Sequence, residues 1–265
     1  MKPKILLTND DGIFAEGMKN LYLSLKDKAD VTIVAPLSEQ SGVGVGISLR
    51  KPLQIQKMDW QDEVSAYAVN GTPADCVKMA LSVVLDSTPD LIVSGINKGS
   101  NAGRNLLYSG TVGGVIEGIL RGIPGLAVSC VDFFNPNFLL ARNTVSLFVD
   151  YLLENPLPKG TLLNVNIPSL GLPLNGIRFA KQGRGYWIED PSRRVHPDGF
   201  SYYWLGGKHP DLEEEEDSDV ALLQKGYITA VPAYVDELTH QGAFLERKDL
   251  FNEMFSKLSF HESLN

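Results

Sequence analysis

The chain has 265 residues, 43% of them hydrophobic, and a formal net charge of -8 from 24 Lys and Arg against 32 Asp and Glu. The hydrophobic share sustains a large core and excludes disorder as the default, while the acidity excludes a duplex-DNA binder, which needs a basic face for phosphates. Two cysteines, Cys76 and Cys130, sit among apolar neighbours without a CxxC pair and read as buried thiols rather than zinc ligands.

Residues 5–7 predict a short buried strand; this apolar run is too short for a secretory signal. No stretch approaches the ~18 apolar residues that span a bilayer, so a soluble protein of a reducing cytoplasm is expected. Residues 17–25, with Met18, Leu21 and Leu25 at helical spacing, predict a helix. Residues 31–35 predict a second strand closed by Pro36, and residues 52–56 and 64–69 two extended segments. Thr72 followed by Pro73 is a helix start, an N-cap with proline at the first helical position. That helix is expected to end before Pro89, ahead of a buried strand at 90–94. A helix at 111–121, a strand at 126–129, a long amphipathic helix at 137–153 and a strand at 162–167 complete the series.

Strands alternating with helices predict an α/β fold, a Rossmann-like, mainly parallel sheet flanked by helices. Beyond residue 170 the pattern changes to a smaller β-rich extension over 171–265. Its strands at 177–180, 201–204 and 227–231 are expected to be antiparallel, and a terminal helix at 247–258 carries Leu250, Met254 and Leu258 on one stripe. The acidic run at 211–219 reads as a solvated loop, and the four histidines (196, 209, 240 and 261) as ordinary surface or loop residues.

In parallel sheets, ligands bind outside the carboxyl ends of the strands. Three segments would meet there. After the first strand come Asn9, Asp10, Asp11 and Gly12. Two adjacent carboxylates at a buried edge repel one another unless something cationic balances them. Asp11 could instead cap the following helix; the pair, with Asn9 before it, points to a metal. After the second strand come Gln40, Ser41 and glycines at 42, 44 and 46, which let the backbone approach a ligand or simply form a mobile loop. After the strand at 90–94 comes a Gly- and Asn-rich loop with Asn97 and Asn101, ending in Ser109, Gly110 and Thr111. Amides and hydroxyls at that helix start suit a phosphate, and Thr111 as a plain N-cap is the competing reading. Together the carboxylates, the Asn amide and the Ser hydroxyl are hard oxygen donors suited to Mg²⁺ or Mn²⁺.

The motifs TNDDG (8–12), PLSEQSG (36–42), VNGTPADCV (69–77), SGINKGSNAG (94–103), YSGTVGGVIEG (108–118) and DVALLQKGYITAVP (219–232) resemble, in order, those of the stationary-phase survival protein SurE family. The resemblance covers roughly residues 1–240 and implies a metal-dependent nucleotidase that hydrolyses nucleoside 5'-monophosphates, with 3' activity in some members. It makes 1–170 the catalytic domain and 171–265 an extension for homodimer or homotetramer formation. It implies Asp10, Asp11, Ser41 and Asn97 as metal ligands, Asn9 beside the metal in the catalytic centre, and Asn101, Ser109, Gly110 and Thr111 as the phosphate site. The chain departs from the family pattern at Phe14-Ala15-Glu16, at Gly44-Val45-Gly46 and at Gly113-Gly114. The altered second loop favours a rival reading, a nucleotide-binding regulatory module without turnover. A dehydrogenase fits less well, because the first strand leads to Asn-Asp-Asp and not to a Gly-rich turn.

Overall fold

Aliphatic runs with almost no polar alternation become central strands covered on both faces, which is why they read as continuous hydrophobic stretches. The computed structural model describes residues 2–208, 210 and 212–256. His209, Asp211, His261 and the Lys257–Leu258 end of the expected terminal helix lie outside the described residues. The strands are β1 (Lys4–Thr8), β2 (Asp30–Pro36), β3 (Ile55–Lys57), β4 (Ser65–Val69), β5 (Leu91–Lys98), β6 (Gly125–Cys130), β7 (Thr161–Ile167), β8 (Ile177–Phe179), β9 (Ser192–Val195), β10 (Ser201–Trp204) and β11 (Ile228–Tyr234). Nine of them form one sheet in the order β3-β4-β2-β1-β5-β6-β7-β11-β8. The six from β4 to β7 in that order run parallel. β3 is antiparallel to β4 and β11 is antiparallel to β7.

The helices are α1 (Glu16–Leu25), α2 (Pro73–Met79), α3 (Gly110–Ile119), α4 (Phe138–Glu154), α5 (Asp219–Gln224) and α6 (Gln241–Phe255). Side chains alternate faces along each strand. Ile5 and Leu7 of β1 therefore join the core under α1 and α4 with Met18, Leu21, Val145 and Phe148. Leu6 faces the opposite way, with Cys76 and Val77 of α2 and Ile92 of β5. Val112, Val115 and Ile119 of α3 pack with Ala127 and Leu162 on the remaining stretch. Fully burying each such Leu or Ile stabilises the fold by about 1.5–3 kcal/mol. Cys76 and Cys130 are free, buried thiols, as read from the sequence, and burial pushes Cys130 up to about 12.

The chain winds outward from β1 in both directions, to β2 on one side and β5 on the other. This reversal of strand order opens a crevice at the carboxyl ends of β1 and β5. β5 runs four residues further than expected, to Lys98, through an irregularity between Ser94 and Asn97 in its pairing with β6. Gly95 makes that irregularity possible: its φ is +139°, and a Cβ there would stand 2.4 Å from the Val128 carbonyl oxygen. The extra residues carry Asn97 and Lys98 to the crevice.

The late strands correct one expectation. β8 and β11 are parallel to each other, whereas β11 is antiparallel to β7 and β9 and β10 form an antiparallel hairpin. The excursion between β8 and β11 takes in that hairpin and α5 and returns the chain to the sheet in the direction it left. β9 and α5 had no counterpart among the predicted elements, and α6 starts six residues before the expected helix. Among the described residues no helix is long and apolar enough to cross a membrane.

Candidate active site

The three loops expected at the sheet edge do meet, and hydrogen bonds donated by backbone amides join them. The Gln40 amide donates to the Asp10 carbonyl (2.7 Å), tying the second loop to the first. The Gly44 amide donates to the Tyr108 carbonyl (2.9 Å), tying the second to the third. The Lys98 amide donates to Asp11 Oδ2 (3.3 Å), tying the third to the first. A cavity of about 1220 Å³ opens here, with Asp10, Ser41, Asn97, Lys98, Asn101 and Ser109 in its lining.

Asp10 is 4% exposed, and its Oδ1 accepts the Thr111 hydroxyl at 2.5 Å. Burial pushes its carboxyl up, against the hydrogen bonds from Thr111. Asp11 is pushed up to about 7, first by burial and then by the neighbouring Asp10 charge, with the Lys98 amide and ammonium opposing. Lys98 Nζ lies 3.9 Å from Asp11 Oδ1 and 3.4 Å from Glu39 Oε2. It is therefore the protein's own partial answer to the two carboxylates. Glu39 also accepts the Ser41 hydroxyl (2.7 Å), and that bond, ahead of Lys98, holds its carboxyl below the usual range.

Ser109, not Thr111, caps α3: its Oγ accepts the Val112 amide (3.1 Å). Neither does Asp11 cap α1, whose N-cap residue is Ala15 with no side-chain bond. Both carboxylates are thereby left to the site. Gly110 opens α3 against Asp10, where a Cβ would come within 2.9 Å of Asp10 Oδ2. Asn9 Nδ2 donates to the Gly12 carbonyl (2.9 Å), while its Oδ1 is buried without a partner. Asn97 Nδ2 donates to the Gly99 carbonyl (2.8 Å), which makes Oδ1 the atom it can offer to a ligand.

Asn101 is fastened from every side. Its amide N–H donates to Asn166 Oδ1 (3.0 Å), its carbonyl accepts Asn164 Nδ2 (2.9 Å), and its Nδ2 donates to Ser129 Oγ (2.7 Å). A hydroxyl donates as readily as it accepts, so turning the Asn101 amide over keeps the Ser129 bond and presents an NH₂ to an anion. The two asparagines of β7 were passed over in the sequence, although two polar residues in the otherwise apolar LLNVNI are the signal that finds them.

Two further carboxylates hold the loops from behind. Asp75 closes a capping box with Thr72 at the start of α2. Its other oxygen accepts the Ser48 amide (2.9 Å), and the Thr72 hydroxyl donates to the Gly46 carbonyl (2.6 Å). Burial raises Asp75, but these donors outweigh it and hold its carboxyl below the ordinary value. Asp219, at the start of α5, accepts the amides of Gly103 (3.0 Å), Gly183 (2.8 Å) and Val220 (2.8 Å). Burial raises its carboxyl against those three donors.

Among the described residues no group of three or more His, Cys, Asp or Glu side chains forms a metal site. The donor set here is of another kind: two buried carboxylates with neutral amide and hydroxyl oxygens around them. Carboxylates held this far from water and beside each other, together with the orphaned Asn9 oxygen, fit a hard divalent cation.

The family model described as Survival protein SurE matches residues 5–189. A protein of Protochlamydia amoebophila named 5'-nucleotidase SurE is 50% identical over 253 residues, covering 94% of this chain and 97% of that protein. One of the same name from Moorella thermoacetica is 45% identical over 234 residues, covering 88% and 90%. The crystal structure of the SurE protein from Aquifex aeolicus superposes with a TM-score of 0.80 at 35% identity, covering 94% of this chain and 100% of that one.

Proposed function

Since the chain belongs to the survival protein SurE family, we propose that it is a 5'-nucleotidase, releasing phosphate from nucleoside 5'-monophosphates, with Asp10 and Asp11 at the centre of the reaction. The observation that carries this reading is the adjacent carboxylate pair at the end of β1: Asp10 lines the cavity and is hydrogen-bonded to Thr111 in the first turn of α3, and the Asp11 side chain beside it is 5% exposed. Asp10, Asp11, Ser41 and Asn97 would hold a divalent ion, Mg²⁺ or Mn²⁺. Such an ion supplies a polarised phosphate oxygen and an acidified water at neutral pH.

The chain's own residues do the rest. Thr111 fixes Asp10 through its hydroxyl. The Gly110 amide at the first turn of α3, with Ser109 beside it, receives the phosphate and stabilises its growing charge. Asn101, immobilised by Ser129, Asn164 and Asn166, orients it, and Asn9 orients water through its unpaired oxygen. Buried free thiols suit a reducing cytoplasm. Residues 171–265 would serve oligomerisation, as a dimer or tetramer. In α6 no described residue is buried, and Leu250, Phe251 and Met254 are exposed.

The test uses protein stripped with chelator and then supplied with Mn²⁺, Mg²⁺ or no metal. Phosphate release is measured from a panel of nucleoside monophosphates, 5' and 3'. Metal-dependent release is expected from 5' substrates, and Asp10→Asn with Asp11→Asn should remove at least ~99% of it, a loss of about 3 kcal/mol of barrier lowering. Absence of release with every metal, from folded protein that still binds nucleotide, would overturn catalysis in favour of the binding-module reading.

A further inference from the structure

A phosphate needs only the inner end of this cavity. The outer rim carries two adjacent phenylalanines, Phe133 and Phe134, in the loop that follows β6. They are 50% and 87% exposed, side by side at the mouth of the cavity. The loop is not a loose one. Asp132 Oδ1 accepts the amides of both Phe134 and Asn135 (2.9 Å each), a local turn that presents the rings outward. The rings meet edge to face, 5.3 Å between centroids at 84°, so their planes stand at a right angle and form two walls of a corner.

The position of that corner relative to the carboxylates is bounded by Lys98. Its Nζ lies 3.9 Å from Asp11 Oδ1 and 5.1 Å from the Phe133 centroid, so ring and carboxylate are separated by at most about 9 Å. A base joined through ribose to a 5'-phosphate at the carboxylates fits within that limit. The ammonium between them lies over the Phe133 ring while pairing with Asp11 and Glu39.

We propose that Phe133 and Phe134 form the platform on which the nucleobase of the substrate stacks, which makes them specificity-determining residues for nucleotides over base-free sugar phosphates. This rests on the nucleotidase reading and adds the part of the substrate that the loop reads. An aromatic face accepts any base, because every base has a π-face, so the platform selects for the presence of a base more than for its identity.

The experiment compares a nucleoside 5'-monophosphate with ribose 5-phosphate, which keeps the phosphoester and lacks the base. Calorimetric affinity and phosphate release are measured for the metal-supplied wild type, Phe133→Ala, Phe134→Ala, the double variant and the rescue variant Phe134→Tyr. The double variant is expected to lose about 5- to 100-fold in affinity and KM for the nucleotide with kcat kept, the range of one base stack. Ribose 5-phosphate should change by less than about twofold, and Phe134→Tyr should behave as wild type. Loss of nucleotide binding alone in a wild type without turnover would support the platform while removing the hydrolase reading. Normal turnover with no loss in the double variant would overturn the platform and leave the hydrolase reading intact. An equal loss for both ligands, or a changed oligomeric state, would also overturn it and assign the rings to structure or to a subunit contact.

Discussion

Asp11 is a residue whose ionisation works against the fold. Its side chain is 5% exposed, and its folded pKa lies near 7 against 3.8 for an ordinary aspartate. The folded chain therefore retains a proton between about pH 4 and 7 that the unfolded chain has released. Stability from this group is full below the unfolded pKa and is lost as pH rises through about 7. In chelator at pH 8, Asp11→Asn should accordingly be more stable than the wild type, by on the order of 2–4 kcal/mol, and the gain should vanish at pH 4. Urea unfolding at the two pH values checks this, and a variant no more stable at pH 8 would show that the pair carries no such penalty. Lys98 enters the same balance. Its positive charge would compete with the proposed divalent ion for Asp11, so Lys98→Gln is expected to tighten Mn²⁺ binding severalfold by calorimetry, less so at high salt. The acidic pair was legible in the sequence because it is a local pattern at a strand end. Lys98 was not, because its partner lies 87 residues away and nothing local distinguishes it from the 23 other basic residues.

At the scale of elements, α2 serves a loop it does not belong to. The Thr72–Asp75 box starts the helix, as Thr72-Pro73 suggests, and the same two side chains hold residues 46–48. Asp75→Asn should lower stability by about 1–2 kcal/mol at pH 7 and raise the KM for substrate through the slackened second loop. The Asp75 carboxyl is held below its ordinary value, so its contribution is present above about pH 4 and is lost as pH falls through the depressed folded value. The gap between wild type and variant should thus close in acid melts. Gly95→Ala should destabilise by ~2 kcal/mol or more, because it puts a Cβ against the Val128 carbonyl and forces a positive φ. The parallel strands and long helices were readable from apolar periodicity. β9 was not, since Ser-Arg-Arg-Val is exposed and charged, and α5 is only six residues long. The start of α6 was missed because His240 accepts the Ala243 amide there, a cap outside the usual Ser, Thr, Asp and Asn. The parallel pairing of β8 with β11 depends on the path of residues 180–227, which no local pattern encodes.

For the whole molecule, the exposed faces of α6 and of the β9–β10 hairpin set the expectation for assembly. Tyr203 and Trp204 are 62% and 66% exposed, and Phe251 62%. A chain ending at residue 240 should sediment as a smaller species than the full chain in light scattering. If the two masses differ only by the deleted segment, α6 makes no subunit contact.

The reach of Asp219 carries a different kind of consequence. Every side chain assigned to the reaction lies within the first 111 residues, and the matched family region stops at residue 189. Yet the third loop is moored at Gly103 by a carboxylate 116 positions further along. During synthesis, then, the emerging polypeptide displays all its reactive groups long before the mooring exists. Completion of the chain past α5 would then act as a checkpoint: a chain ending before Asp219 is expected to release less phosphate than the full chain in the same assay.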